Sequence, residues 1–216
     1  MNLIVLCDFD GTITIQDTAE LVLRKFAKGD WKQYDQQFEN GKLSLEECLK
    51  KEFSLVKASR EEILNALNEV EFRPGFDELA RYCKQNCIPV IIVSAGLDFI
   101  IIHFLKLKKW HHMVQTYMAV ATVAADGIKF TFPRHCDKTS ANFKQDLVRK
   151  CKGEGKKIVL IGDGTGDCDA AREADLTFAI KDSSLANLCE KYGIHCRSMT
   201  DFRQVIDVLR SETPFL

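Results

Sequence analysis

The sequence has little excess charge of either sign and no long uninterrupted apolar run. Its 30 Lys and Arg residues nearly cancel its 31 Asp and Glu residues, so net charge favours neither nucleic acid nor an anionic membrane as a partner. Polar residues interrupt its most apolar stretch, residues 90–105, whereas a membrane-spanning helix needs roughly 20 predominantly apolar residues. No leader pattern opens the chain. We therefore expect a soluble, cytoplasmic protein, whose oligomeric state stays open.

Closely paired cysteines are also missing. The nine cysteines are an odd number, are scattered, and include no Cys-x-x-Cys pair. Disulfide scaffolds are typical of small secreted chains, and this chain has 216 residues. His135 with Cys136, or Cys189 with Cys196, would make a zinc site of poor spacing. Reduced thiols that pack as small apolar side chains are the favoured interpretation.

Four apolar runs predict strands of a parallel sheet. They are Leu3–Cys7, Pro89–Val93, Lys157–Ile161 and Leu176–Ile180. Apolar runs without alternation are typical of strands that are buried on both faces. Helical periodicity follows the first three, over residues 18–27, 97–107 and 169–174. This repeated strand–helix order predicts an α/β fold with a doubly wound, Rossmann-like parallel sheet.

The interval between the first two predicted strands is longer than a crossover requires. Residues 15–73, called the helical insert below, contain no strand-like run and place apolar residues at helical spacing. A crossover needs only about a dozen residues. We therefore expect a small helical cap domain inserted after the first strand, on an α/β core made of residues 1–14 and 74–216.

Two shorter patterns complete the predicted organisation. Trp31, Tyr34 and Phe38 recur at helical spacing, which favours packing inside the helical insert over stacking on a substrate. Residues 117–132 predict a β-hairpin, because two strand-like runs flank the dipeptide Asp126-Gly127.

Polar side chains follow three of the predicted strands. Asp8 and Asp10 follow the first strand, Ser94 the second, and Asp163 and Asp167 the third. Ligands of open α/β sheets bind beyond the carboxyl ends of the strands. Four carboxylates at one edge would repel each other, and Mg²⁺, which binds carboxylates, phosphate and water, would resolve that repulsion. The alternative, in which these side chains only cap helices and turns, explains one such acid more easily than four.

These residues resemble motifs of the haloacid dehalogenase superfamily of phosphotransferases. The run from Asp8 to Thr12 resembles the first motif, Ser94 the second, and the run from Gly162 to Asp167 the fourth. The third motif is a lysine ahead of the fourth, for which Lys144 fits by spacing and Lys138 is the alternative. The motifs stand in the family's order and on predicted strand ends, which is the context that such motifs require.

The resemblance implies a reaction and a role for each motif residue. Asp8 would be the nucleophile and Asp10 the general acid and base. Mg²⁺ would be held by Asp8, the backbone carbonyl of Asp10, Asp163 and Asp167. The substrate phosphate would be bound by Gly11, Ser94, Ala95, Gly96 and Lys144. We expect a Mg²⁺-dependent phosphatase that acts on a small phosphorylated metabolite and forms an aspartyl-phosphate on Asp8. The alternatives are a phosphotransferase or phosphomutase, and a catalytically inert phosphate-ester-binding protein.

A helical insert at this point resembles the phosphoserine-phosphatase-like branch of the superfamily. In that branch an Arg holds the serine carboxylate and a Glu holds the amine. Glu52 aligns with the Arg and would repel a carboxylate, whereas Asp17 aligns with the Glu. Asp17, Glu20 and Glu52 are therefore the candidates for substrate selection. Residues 94–99 and 132–136 are instead similar to 2-hydroxy-3-keto-5-methylthiopentenyl-1-phosphate phosphatases of methionine salvage.

Overall fold

The computed structural model describes residues 2–212 of the chain. Its strands are β1 (Leu3–Cys7), β2 (Val90–Ser94), β3 (Gln115–Met118), β4 (Val120–Ala124), β5 (Gly127–Thr131), β6 (Lys157–Gly162), β7 (Leu176–Ile180) and β8 (Cys196–Met199). Six of them form one sheet in the order β3-β2-β1-β6-β7-β8, and all its pairings are parallel. The remaining two, β4 and β5, form an antiparallel hairpin. The doubly wound α/β fold is thereby confirmed.

Helices alternate with these strands and also fill the interval after β1. They are α1 (Thr18–Phe26), α2 (Lys32–Glu39), α3 (Leu45–Ser54), α4 (Arg60–Asn65), α5 (Phe76–Gln85), α6 (Asp98–Leu107), α7 (Phe143–Gly153), α8 (Cys168–Glu173), α9 (Ser184–Tyr192) and α10 (Arg203–Glu212). The first four helices lie in the helical insert. Local sequence fixes where α3 and α4 begin, because Ser44 and Ser59 each form a capping box with a Glu three residues later.

Both faces of the sheet are covered by apolar side chains. Along β1, Leu3, Val5 and Cys7 belong to one buried cluster, whereas Ile4 and Leu6 belong to a second. Successive side chains of a strand point to opposite faces, so the two clusters lie on the two sides of the sheet. This arrangement explains why the central strands are continuous apolar runs.

The predicted strands are found with small shifts. Strand β2 begins at Val90, not Pro89, which agrees with the missing N–H of proline. The hairpin is also found at its predicted turn, but Tyr117 lies in β3, which pairs with β2. Strand β5 of the hairpin packs against α3 of the helical insert. None of the helices described for residues 2–212 has the length and apolar character needed to cross a bilayer.

Candidate active site

The order of the sheet brings the predicted site residues to one cavity. Strands β2, β1 and β6 are neighbours, so the segments that follow them meet at the same edge. A cavity of about 440 Å³ opens there and is lined by Asp8, Asp10, Ser94, Ala95, Gly96, Lys144, Asp163 and Asp167. The helical insert forms the other wall of this cavity, with Asp17, Glu20 and Glu52 among its lining residues. Of all the predicted site residues, only Gly11 does not line the cavity.

Asp8 lies at the end of β1 and is held from two sides. Its Oδ1 accepts a hydrogen bond of 2.8 Å from the Phe9 N–H, and its Oδ2 lies 2.8 Å from Lys144 Nζ. The same lysine nitrogen lies 2.7 Å from Asp167 Oδ1. Lys144 is placed by the first turn of α7, whose N-cap Asn142 accepts hydrogen bonds from the Lys144 and Gln145 N–H groups. Lys144 therefore bridges the first and fourth motifs.

Negative charge exceeds positive charge at this edge of the sheet. Burial raises the pKa of Asp8 well above its ordinary range; Lys144 opposes the rise, and the charges of Asp167 and Asp163 add to it. Burial and the charge of Asp167 raise the pKa of Asp163 to about 7. Although burial disfavours a charged lysine, Asp167 and Asp8 together raise the pKa of Lys144. One ammonium thus faces three carboxylates, and further positive charge would stabilise them.

The three carboxylates have the chemistry and spacing of a site for a hard divalent cation. Asp8, Asp163 and Asp167 can each offer one oxygen, and these oxygens lie within 4.8 Å of one another. Carboxylate oxygens are the ligands that Mg²⁺ prefers. The side chain of Asp10 is not part of this group. The donor set therefore fits Mg²⁺, and its excess negative charge gives a reason for an ion to bind.

Asp10 points to different partners from those of Asp8. Its carboxyl accepts hydrogen bonds from Thr18 Oγ1 and, at 3.2 Å, from Ser94 Oγ. Burial raises the pKa of Asp10, and the hydrogen bonds from Thr18 and Ser94 oppose the rise. Ser94 Oγ also accepts a 3.0 Å hydrogen bond from the Gly96 N–H. A buried carboxyl that retains a proton more readily than usual is suited to general acid chemistry.

Two glycines allow loops to approach these carboxylates closely. A Cβ on Gly96 would overlap Asp10 Oδ2, and a Cβ on Gly11, whose φ is +72°, would overlap Asp163 Oδ2. The Gly11 N–H donates to Thr14 Oγ1 at 3.2 Å, so the turn already uses it. The geometry therefore does not favour the predicted contact between Gly11 and the substrate phosphate. It favours a role for Gly11 in the packing of the loop against Asp163.

The loop after β1 depends on a residue that the sequence analysis missed. Arg73, just before the second part of the core, donates hydrogen bonds of 2.9 Å to the carbonyl oxygens of Thr12 and Gly11. Thr12 in turn donates a 2.5 Å hydrogen bond to Asp163 Oδ1. Arg73 thus connects the end of the helical insert to the first motif. No motif marks it in the sequence.

The wall formed by the helical insert contains the predicted acids and several unpredicted residues. Asp17 caps α1 by accepting a hydrogen bond of 2.8 Å from the Glu20 N–H, and the residue is exposed at the cavity. Glu20 pairs with Arg24 at 2.7 Å on the exposed side of α1. Trp31, Asp35, Phe38, Glu39, Leu45, Cys48 and Leu49 also line the cavity. Trp31 and Phe38, predicted to pack inside the insert, are therefore also available to a bound molecule.

The alternative lysine lies away from the carboxylates. Lys138 is exposed and does not line the cavity. Lys144 is 5% exposed and contacts two of the carboxylates. The geometry favours Lys144 as the third-motif lysine.

Comparison with known proteins places the chain among haloacid dehalogenase-like hydrolases. The family model described as haloacid dehalogenase-like hydrolase matches residues 5–172. The chain is 31% identical to a 2-hydroxy-3-keto-5-methylthiopentenyl-1-phosphate phosphatase of Brevibacillus brevis, over 97% of this chain and 96% of that protein. It is 30% identical to a bifunctional enzyme MtnB/MtnX of Bacillus licheniformis over 95% of this chain, but it spans about half of that relative, 49% of its length.

Solved structures with a similar fold include phosphoserine phosphatases. A substrate-bound phosphoserine phosphatase complex superposes with a TM-score of 0.72 and 23% identity, covering 96% of this chain and 98% of the other. A phosphoserine phosphatase in apo form gives a TM-score of 0.68 at 19% identity, covering 96% and 98%. At these identities the likeness concerns the fold alone.

Proposed function

The chain belongs to the haloacid dehalogenase-like hydrolase family, and from this premise we propose that it is a Mg²⁺-dependent phosphatase of a small phosphorylated metabolite. The observation that carries the proposal is the position of Asp8. Its carboxylate lies in the cavity, 2.8 Å from the Lys144 ammonium, at the end of β1. The similarity to curated phosphatases over nearly the whole chain supports the same reaction class.

The first step would transfer the phosphoryl group to Asp8. Lys144 favours the ionised form of Asp8, so that its oxygen can attack phosphorus. A bond forms between this oxygen and phosphorus while the bond to the leaving oxygen breaks. Asp10, from the same loop, would give its proton to the leaving alcohol. Ser94, Lys144 and the backbone at Ala95 and Gly96 would contact the phosphoryl oxygens.

The second step would restore Asp8. Asp10, now ionised, would take a proton from a water molecule whose oxygen attacks the phosphorus of the aspartyl-phosphate. The bond between phosphorus and the Asp8 oxygen breaks, and inorganic phosphate leaves. Asp8, Asp163 and Asp167, with the carbonyl of Asp10, would hold Mg²⁺. When bound, the ion supplies positive charge to the phosphoryl oxygens and to the acids that bind it.

The helical insert would act as a cap over this reaction. Its helices supply the wall opposite the strand ends, and a covering wall can exclude water and select the leaving group. The domain division at residues 15–73 stays a prediction. The phosphate ester named for the curated relatives belongs among the first substrates to test.

The direct test is phosphate release from a panel of phosphate esters, with Mg²⁺ and with EDTA. We expect turnover that EDTA abolishes and that the Asp8→Asn variant lacks, with a loss of roughly 10³-fold or more. Asp207→Asn, an exposed acid on α10, is the matched control and should turn over normally. Acid-quenched wild-type protein should carry one phosphoryl group by intact mass, and Asp8→Asn should carry none. Turnover retained in Asp8→Asn would refute the mechanism, and release that requires an added alcohol would indicate a phosphotransferase.

A further inference from the structure

The wall that the helical insert forms is acidic. Apart from the thiol of Cys48, its ionisable residues lining the cavity, within the described part of the chain, are carboxylic acids: Asp17, Glu20, Asp35, Glu39 and Glu52. The one lysine among the described lining residues, Lys144, is already bound by Asp8 and Asp167. A negatively charged substrate group would be repelled by this wall, and a positively charged group would be attracted. With Mg²⁺ bound, the strand-end wall would favour the phosphate group, whereas the wall of the helical insert favours a cationic group on the rest of the substrate.

Glu52 is the acid whose position points most directly to a missing partner. The residue is 2% exposed, and its Oε1 is buried with no hydrogen-bond partner among residues 2–212. Buried carboxyl oxygens are nearly always hydrogen-bonded, because an unpaired one loses its hydration without compensation. Glu52 also lines the cavity, so a ligand bound there is the nearest source of the missing donor.

Among the described residues, the groups that act most strongly on Glu52 are Asp35, Cys48 and Asp17, none of which is a cation. Oxygen and sulfur atoms of Asp35, Cys48 and Glu52 lie within 4.8 Å of one another. Burial and the neighbouring charge of Asp35 raise the pKa of Glu52 to about 8, and burial also raises the pKa of Asp35. Lys32 acts on Asp35, but its side chain is exposed and outside the cavity lining. A cationic ligand would stabilise both carboxylates.

Aromatic rings complete this wall. Trp31, the N-cap residue of α2, and Phe38 are spaced from Asp35 by about one helical turn, and all three line the cavity. Aromatic faces attract ammonium groups, most strongly where water is excluded. Carboxylates together with aromatic rings are a surface suited to an organic cation.

We propose that two residues of the acidic wall, Asp35 and Glu52, bind a primary ammonium group of the leaving alcohol. The substrates would then be phosphate esters of amino alcohols. This inference rests on the proposed phosphatase function. The ammonium donates a hydrogen bond to Glu52 Oε1 and lies between the carboxylates and the aromatic rings. The same wall disfavours an ester that also carries a carboxylate, such as phosphoserine.

The test compares esters that differ only in charge. Aminoalkyl phosphates are paired with alkyl phosphates in which a methyl group replaces the ammonium, for example aminoethyl with propyl phosphate and aminopropyl with butyl phosphate. For at least one pair we expect kcat/KM to favour the ammonium ester by about tenfold or more. In the Glu52→Gln variant this ratio should fall by about tenfold. The matched control is Glu69→Gln, an exposed acid after α4, which should keep the wild-type ratio.

A second measurement separates this inference from the proposed reaction. Binding of each pair to the Asp8→Asn protein, by calorimetry, reports recognition without turnover and should show the same preference. Equal use and equal binding of charged and neutral esters would overturn the inference while leaving the phosphatase intact. Ammonium preference in binding with no phosphate release from any ester would overturn the phosphatase and, with it, the assignment of substrates, and would leave only ammonium binding by Asp35 and Glu52. Zn²⁺ binding that is lost in Glu52→Gln, without any preference between the esters, would show that Asp35, Cys48 and Glu52 form a metal site, and would overturn the inference.

Discussion

Replacing Glu52 by glutamine tests the environment of the acidic wall without any substrate. In the folded protein, burial and the charge of Asp35 raise the pKa of Glu52 from about 4.5 to about 8. One pKa unit corresponds to about 1.4 kcal/mol. The shift therefore represents a free energy on the order of 5 kcal/mol, of which on the order of 4 kcal/mol falls between pH 4.5 and pH 8. Few single side chains are expected to affect the pH dependence of stability as strongly.

The sign of the effect follows from the direction of the shift. The folded state holds the Glu52 proton more tightly than the unfolded state does. Its contribution to stability is fully present below about pH 4.5 and is lost as the pH rises to about 8. Glutamine has no such proton to lose and can donate a hydrogen bond to Asp35. Between these two pH values the wild-type free energy of unfolding should fall by on the order of 4 kcal/mol relative to Glu52→Gln, and the variant should be the more stable protein at pH 8.

The assay is urea unfolding at half-unit pH steps, with EDTA present so that metal binding does not contribute. The difference between the two unfolding free energies reports Glu52 together with its interaction with Asp35, because the remaining titrating groups are shared. The slope against urea should match in the two proteins if both unfold from the same compact state. Glu69→Gln controls for the loss of one acidic charge. Parallel pH curves for wild type and Glu52→Gln would refute the assigned environment, since they would mean that Glu52 is as easily ionised in the folded protein as in the unfolded chain.

Two further variants test the strand-end side of the cavity. Lys144→Met should lower phosphate release at least about 100-fold and destabilise the protein by about 3 kcal/mol in urea unfolding, because it leaves two buried carboxylates without their shared cation. The control is Lys138→Met, at an exposed lysine. Equal losses in both variants would contradict the assignment of Lys144. Gly96→Ala should lower kcat/KM about 100-fold, because its Cβ would displace the Asp10 carboxyl. Gly153→Ala, whose Cβ has nothing within 4 Å, should have unchanged activity. A fully active Gly96→Ala variant would exclude a role for the observed position of Asp10.

The central part of the fold could be predicted because burial on both faces leaves a clear pattern. Strands β1 and β7 are apolar at every position or nearly so, and they were predicted with their observed bounds. Strand β3 was not predicted as part of the sheet. It lies at the edge of the sheet and its first residues are exposed. It therefore lacks the continuous apolar run that marks a strand buried on both faces. Strand β8 lies at the opposite edge and was missed for the same reason.

Some residues of the site could be predicted from the local sequence, whereas others are placed only by the packing of distant segments. Asp8, Asp10 and Asp163 directly follow buried strands, so strand prediction alone places them at one edge of the sheet. Asp35 could not be found by this reasoning, because its place in the cavity depends on how α2 packs across the strand ends. Arg73 was missed for a related reason. Its hydrogen bonds exist only because the chain returns from the helical insert beside the loop after β1.

The free energy associated with Glu52 supports a functional reason for the acidic wall. At pH 8 this carboxyl costs the folded state on the order of 4 kcal/mol, whereas a neutral side chain of similar size would not. Strained or poorly satisfied groups are concentrated at binding sites, where a ligand changes their balance. A bound ammonium would give Oε1 its missing donor and would stabilise the ionised forms of Glu52 and Asp35 together. A leaving group with neither a donor nor a positive charge would do neither. The acid that weakens the empty protein is therefore also the one that would distinguish between such substrates.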